Sequence, residues 1–326
     1  MPSRVTIAAL IALNVFAGVL LPAQSAPPQS APVPSAPSTA DRQALGDAWW
    51  TGPLLANSAA TLPRGHILVE PYVYDVISPH TNGMGSRAYV LYGLFNRFTV
   101  GFIPIIGYNI VSNGPNSSHV GFADFTPQAQ FRLHQYHEGS WIPTTSIMVQ
   151  QTFPTSAYDK LSRPSNGFGG GVYSTNIALN TQTYFWMPNG RILRVRLDIS
   201  DAFSTRANLQ DASVYGTSAG FRGHAYPGAA FQVDLAGEYS VTRKWVLALD
   251  AIYHQAGNTP VIGVNTNTST PVRLDSGSSA GFGFAPAIEY NWNSRVGVIV
   301  GTRIIAPALR NSTTTITPAI AINYVR

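Results

Sequence analysis

The stretch Asp124-Phe125-Thr126-Pro127-Gln128-Ala129-Gln130-Phe131-Arg132-Leu133-His134 decides how this chain is read. Phe125, Ala129, Phe131 and Leu133 share one parity; Asp124, Thr126, Gln128, Gln130, Arg132 and His134 share the other. Successive side chains of a β-strand point to opposite faces, so such a segment has one oily face and one wet face. The separation recurs in Leu193, Val195, Leu197 and Ile199 against Arg194, Arg196, Asp198 and Ser200, and in Phe231, Val233, Leu235 and Tyr239 against Gln232, Asp234 and Glu238. It returns in Trp245, Leu247, Leu249 and Tyr253 against Asp250 and His254, and in Phe282, Phe284, Ile288, Tyr290 and Trp292 against Glu289 and Asn291. A soluble sandwich also alternates, so composition and loop lengths have to separate the two architectures.

Charged residues make up 11% of the 326-residue chain, against about 25% in an average soluble domain. After residue 25 no apolar run reaches the about 20 residues that a membrane helix requires. A closed barrel is the remaining spanning structure, because its strands satisfy one another's backbone groups. There is no cysteine, which excludes a disulfide scaffold, a thiol nucleophile, a cysteine metal site and a lipid-modified N-terminal cysteine. The net charge of +5 is an arginine excess, since Lys160 and Lys244 are the only lysines. It is too dilute for a nucleic-acid stripe.

These features predict an all-β fold: a closed antiparallel transmembrane β-barrel of about twelve strands, preceded by a signal peptide and a disordered linker. Strands are expected near 66-76, 86-94, 98-109, 122-134, 141-153, 170-186, 190-203, 228-240, 244-255, 279-292, 295-305 and 313-325. Short joints then alternate with long ones, the long ones following strands one, three, five, seven and nine. This is the pattern of periplasmic turns against extracellular loops. An even strand count puts both ends of the barrel in the periplasm. Trp141, Trp186, Tyr239, Trp245, Trp292 and Tyr324 fall beside the short joints, as an interfacial girdle would. Pro71, Pro104, Pro127, Pro143, Pro286 and Pro318 fall inside proposed strands, where each removes a ladder donor. Bulges or strand ends are expected there.

Residues 1-25 hold Arg4, an apolar stretch from Val5 to Leu21 and the small-residue tract Pro22-Ala23-Gln24-Ser25-Ala26, which reads as a cleavable signal peptide, with a retained anchor helix as the alternative. Residues 26-40 are a Pro/Ser/Ala-rich linker. Residues 41-65 form an N-terminal segment, and 66-326 the barrel. Within that segment Trp49-Trp50-Thr51-Gly52-Pro53-Leu54-Leu55 is too apolar for the periplasm. Trp49, Trp50, Leu54 and Leu55 are candidates for a plug folded into the barrel, or for a short amphipathic segment lying on the inner leaflet.

The segment Tyr92-Gly93-Leu94-Phe95-Asn96-Arg97-Phe98-Thr99-Val100-Gly101 resembles a hairpin of the putative MetA-pathway of phenol degradation family, a group of outer-membrane barrels regarded as transporters. Gly121-Phe122-Ala123-Asp124-Phe125 is similar to that family's Gly-x-x-Asp strand opening. Phe153-Pro154-Thr155-Ser156 resembles its Leu-Pro-Thr-Gly strand end, with Ser156 in place of the usual glycine. The resemblance implies passage of small hydrophobic or aromatic compounds across a bacterial outer membrane.

The inward parity assigns Glu70, Asp124, Arg132, Arg194, Arg196, Asp198, Asp234, Glu238, Asp250, Glu289 and Arg303 to the lumen, together with Gln128, Gln130, Asn180 and Gln182. Two readings follow: a wet channel, or a salt-bridged filling. Arg194 and Arg196, two apart on one face, suit an electrostatic constriction; alternatively they pair with Asp198 and Asp234. Enzymatic readings find less. Ser112-Asn113-Gly114 and Ser165-Asn166-Gly167 lack the histidine two residues earlier that an outer-membrane phospholipase motif carries. His80, His119, His224 and Asp159 lie in expected outer loops without convergent spacing, and His134, His137 and Glu138 read as a solvated turn. No catalytic residue, metal site or cofactor is expected. The partners expected are outer-membrane lipids and lipopolysaccharide, the barrel assembly machinery and a small-molecule permeant, with no nucleic acid. The chain ends Tyr324-Val325-Arg326, where barrel assembly signals usually end on an aromatic residue, so Tyr324 is the expected substitute.

Overall fold

A computed structural model describes residues 42-308 and 313-326. The expected signal peptide and linker lie outside the described residues. In chain order the strands are β1 (Ile67–Ser78), β2 (Thr81–Phe95), β3 (Phe98–Phe102), β4 (Ile105–Val111), β5 (Gly121–Phe122), β6 (Pro127–His134), β7 (Thr144–Thr152), β8 (Ser174–Trp186) and β9 (Ile192–Ser204). They continue as β10 (Ala207–Gln210), β11 (Phe221–Ala225), β12 (Ala230–Ser240), β13 (Trp245–Ala256), β14 (Pro260–Asn265), β15 (Thr270–Asp275), β16 (Ser279–Asn293), β17 (Val296–Pro307) and β18 (Thr315–Val325).

Twelve of these strands close a ring, β1-β2-β3-β6-β7-β8-β9-β12-β13-β16-β17-β18, through antiparallel pairing of β1 with β18 from Leu68 opposite Val325 to Ile77 opposite Ile316. Closure removes the sheet edges that would strand backbone donors in lipid. The oily parity faces outward: Leu247, Leu249, Ile288 and Val300 are about half exposed, whereas Asp250, Glu238 and Glu289 are 0% exposed. A soluble sandwich would bury the first set.

Prolines mark where the ladder yields. Pro104 splits the expected third strand into β3 and β4, and Pro127 opens β6. Pro71, Pro286 and Pro318 stay within strands, pairing on one side with Ala88, Leu249 and Thr302 respectively. The other side of each skips that register position. A residue without an N–H is tolerated there because the ladder is already interrupted on one of its two sides.

Two expectations need correction. The joint after the first strand is a two-residue turn, Pro79-His80, because β1 and β2 stay paired as far as Ser78 opposite Thr81. The loops after the seventh and ninth barrel strands are long, as expected, and build a second sheet of their own from β10, β11, β14 and β15. Leu209, Phe221, Ala225 and Val261 make its core together with Val172. Trp186 is not a lipid-facing girdle residue, since its indole donates to the Gln43 carbonyl at 2.9 Å.

Candidate functional site in the barrel lumen

The residues ahead of β1 run inside the barrel. An irregular buried segment has backbone N–H groups without ladder partners, and each costs free energy unless an acceptor meets it. The wall supplies carboxylates. Gln43 enters beside the β8–β9 turn, donating its N–H to the Gly190 carbonyl at 3.0 Å. Trp49 donates its N–H to the Arg243 carbonyl, and the Arg243 guanidinium lies 4.7 Å from its ring. Glu289 Oε2 accepts the N–H groups of Thr51 at 2.6 Å and Gly52 at 3.3 Å. Asp250 accepts from Leu54 and Ala56 at 3.1 and 3.0 Å, and Asp198 from Asn57 at 2.5 Å. Gln130 Nε2 then donates to the Ser58 carbonyl at 2.7 Å. The segment turns back as Leu62 donates to Thr99 Oγ1 at 2.8 Å, and Gly65 donates to the Gly93 carbonyl at 2.8 Å just before β1. Both of its ends lie at the short-turn side.

Packing completes the hold. Leu54 is 5% exposed and belongs to one buried cluster with Ala248, Ile252, Ala285, Ala287, Ile299 and Ala321, with Leu55 packed against it. The alanines of this set, on β13, β16 and β18, leave room that longer side chains would fill. Gly93 leaves room for backbone: a Cβ there would stand 2.0 Å from the Pro63 carbonyl oxygen. Gly52 has φ +126, a conformation that favours glycine, and lies against the Arg196 guanidinium.

Arg194, Arg196, Asp198, Asp234, Glu238, Asp250 and Glu289 converge on this segment from β9, β12, β13 and β16. The two arginines do not pair with Asp198 and Asp234, and they do not stand free as a constriction. Arg194 grips Glu238 through both Nε and Nη2, and Arg196 Nε lies 3.2 Å from Glu238 Oε2. The register sets this, with Arg194 directly opposite Glu238. Each arginine also holds the segment: Arg194 lies 4.5 Å from the Trp50 ring, and Arg196 Nη1 donates to the Ala56 carbonyl at 2.8 Å. Asp234 stands opposite Asp198, and both its carboxylate oxygens are buried without a protein partner among the described residues.

The remaining candidates lie elsewhere. Glu70 faces Asn323 and Tyr72, and Arg303 Nη2 reaches Thr317 Oγ1 at 3.4 Å. Arg132 sits near the short-turn rim, its N–H on the Arg97 carbonyl. Asp124 is a correction. It precedes β6 instead of lying within it, and its carboxylate caps an outer loop by accepting the N–H groups of Thr155 and Ser156, both at 2.9 Å, and of Gly170 at 2.7 Å. Among the enzymatic candidates, Ser165 donates to the Pro115 carbonyl and Asn166 accepts from Ser118 N–H, which are loop-fastening roles. Asp159 accepts from Gln210 N–H and His224 bonds Asn208. The sequence reading missed Asn57 and Leu62, which act through main-chain N–H groups, Gln43 and Thr51, which act through main chain and side chain together, and Asn291, whose amide donates to the Trp49 carbonyl at 3.1 Å.

A family model described as "Putative MetA-pathway of phenol degradation" matches residues 52–305, so the match begins inside the lumenal segment. No curated protein matches the chain at the level of sequence. Among solved structures, an outer membrane channel from Pseudomonas putida F1 superposes with TM-score 0.63 at 13% identity, covering 84% of this chain and 100% of that one. The NanC porin gives TM-score 0.42 at 10% identity, covering 78% and 98%. The TodX monoaromatic hydrocarbon channel gives TM-score 0.35 at 10% identity, covering 81% and 90%.

Proposed function

Because this chain belongs to the putative MetA-pathway of phenol degradation family, we propose that it is a bacterial outer-membrane channel for small hydrophobic or aromatic compounds, narrowed by its own N-terminal segment. The observation that carries this reading is the way residues 49-65 are held. They are fastened to the wall by N–H groups donated to Glu289, Asp250 and Asp198 and by a hydrogen bond donated from Gln130, outside the barrel's strand ladder. A segment so held restricts the bore without being part of the wall. Arg87 supports an unfilled remainder: its guanidinium is surrounded by the barrel, yet the residue is exposed.

On this reading the chain works by diffusion, with no covalent step and no cofactor. Its partners are outer-membrane lipids and lipopolysaccharide, the assembly machinery that inserts it, and the permeant. The test is conductance in a planar bilayer and flux into liposomes, for the full chain and for a chain lacking residues 42-64. Conductance that rises several-fold on deletion supports a channel with an internal restriction. A closed barrel in both would replace it with the alternative, a filled structural barrel, which the buried Arg194–Glu238 pair favours.

A further inference from the structure

The lumen wall formed by β2, β1, β18 and β17 differs in charge from the acidic wall that holds the N-terminal segment. Arg87 on β2 stands opposite Tyr72 on β1, two positions from Tyr89 opposite Glu70. Tyr72 and Tyr89 meet edge to face with ring centroids 6.1 Å apart, and Arg87 lies within reach of both and of Tyr74. Arg303 of β17 is close enough to Arg87 for the two cations to repel, and it too neighbours Tyr74. Among the described residues the ion pairs involve Arg194, Arg196, Arg243 and Arg273, and none involves Arg87 or Arg303. Glu70, the nearest wall carboxylate by register, turns to Asn323 and Tyr72. Arg303 Nε is buried without a partner among the described residues. Two like charges thus face each other across the inner surface of β1 and β18 beside accessible space, an arrangement that is unfavourable until an anion enters.

We propose that Arg87 and Arg303, with Tyr72, Tyr74 and Tyr89, form a recognition site for small aryl carboxylates inside the lumen. The proposal rests on the channel reading and narrows its substrate class. A guanidinium presents a fork of donors that matches a carboxylate, and tyrosine rings offer edge or face contacts to an aryl ring while their hydroxyls add donors. The three tyrosines border the arginines, so one ligand of benzoate size can meet both kinds of group.

The test uses the purified full-length barrel in detergent and titration calorimetry with benzoate and with benzamide, its neutral isostere. Benzoate is expected to bind at least tenfold more tightly than benzamide. The variant Arg87→Gln/Arg303→Gln is expected to lose that preference, and Arg87→Lys to keep part of it. Equal binding of the two compounds, no benzoate binding, or an undiminished preference in the double glutamine variant would overturn the site. The comparison of the two ligands on the unaltered protein decides the matter even if a variant does not fold. Liposome flux is read separately: benzoate binding without flux of either compound overturns the channel reading and leaves the site standing.

Discussion

The carboxylate of Asp124 accepts the backbone N–H of Thr155 at 2.9 Å and so ties the segment that leads into β6 to the segment that leaves β7. The same oxygen takes Ser156 N–H, the other takes Gly170 N–H, and Ser156 Oγ donates to the Phe122 carbonyl. Two of the family-like motifs, Gly-x-x-Asp and the Phe-Pro-Thr-Ser strand end, are therefore one physical feature. Asp124→Ala removes three hydrogen bonds to a charged acceptor, each worth about 1.5–3 kcal/mol. Residues 156-171 should then be cut at least tenfold faster by an added protease while the barrel keeps its heat-modifiable mobility on gels. Unchanged cleavage would remove Asp124 from this role.

Loss of the Asp250 carboxylate leaves the Leu54 and Ala56 N–H groups unmet. Asp250→Ala should loosen the segment by about 2–4 kcal/mol, from two unsatisfied donors. The chain has no native cysteine, so an Ala56→Cys reporter can be labelled by a soluble maleimide without background. Labelling should accelerate markedly when Asp250→Ala is added.

Space is as specific as charge at the segment's exit. A methyl at Gly93 would meet the Pro63 and Leu62 carbonyl oxygens at 2.0 and 2.8 Å. Gly93→Ala should cost about 1–3 kcal/mol by overpacking, read as a lower unfolding temperature. In a chain lacking residues 42-64 the same substitution should cost much less, which ties the effect to the segment.

Burial, reinforced by the neighbouring Asp124 carboxylate and Tyr158, pushes the Tyr215 hydroxyl up to about 12. The outer fold favours the neutral phenol, which donates to the Gly170 carbonyl at 2.5 Å. This contribution is fully present below the unfolded tyrosine value near 10 and is lost as pH rises through the folded one. Protease sensitivity of the outer loops should therefore rise between about pH 10 and 12, and Tyr215→Phe should flatten that rise.

Leu249 is 49% exposed on the outer face of β13, next to inward Asp250. An arginine at mid-membrane on the lipid face costs about 2–4 kcal/mol. Leu249→Arg should lower folding stability in lipid bilayers by that amount. No measurable change would contradict the outward parity on which the membrane reading stands.

The sequence by itself determined the twelve-strand alternation and the inward parity of Arg194, Arg196, Asp198, Asp250 and Glu289, because a period of two is local to each strand. It also exposed Trp50 and Leu54 as too apolar to be left in water. Tertiary structure decided what those residues meet. Arg194 pairs with Glu238 because their strands align them, and alignment between β9 and β12 is not written in either strand alone. The wall carboxylates meet the N–H groups of Thr51, Leu54, Ala56 and Asn57, and main-chain donors are the same at every residue and leave no mark in a sequence. The outer sheet likewise depends on β11 finding β14 across an intervening pair of barrel strands, a contact between distant segments that local alternation cannot specify.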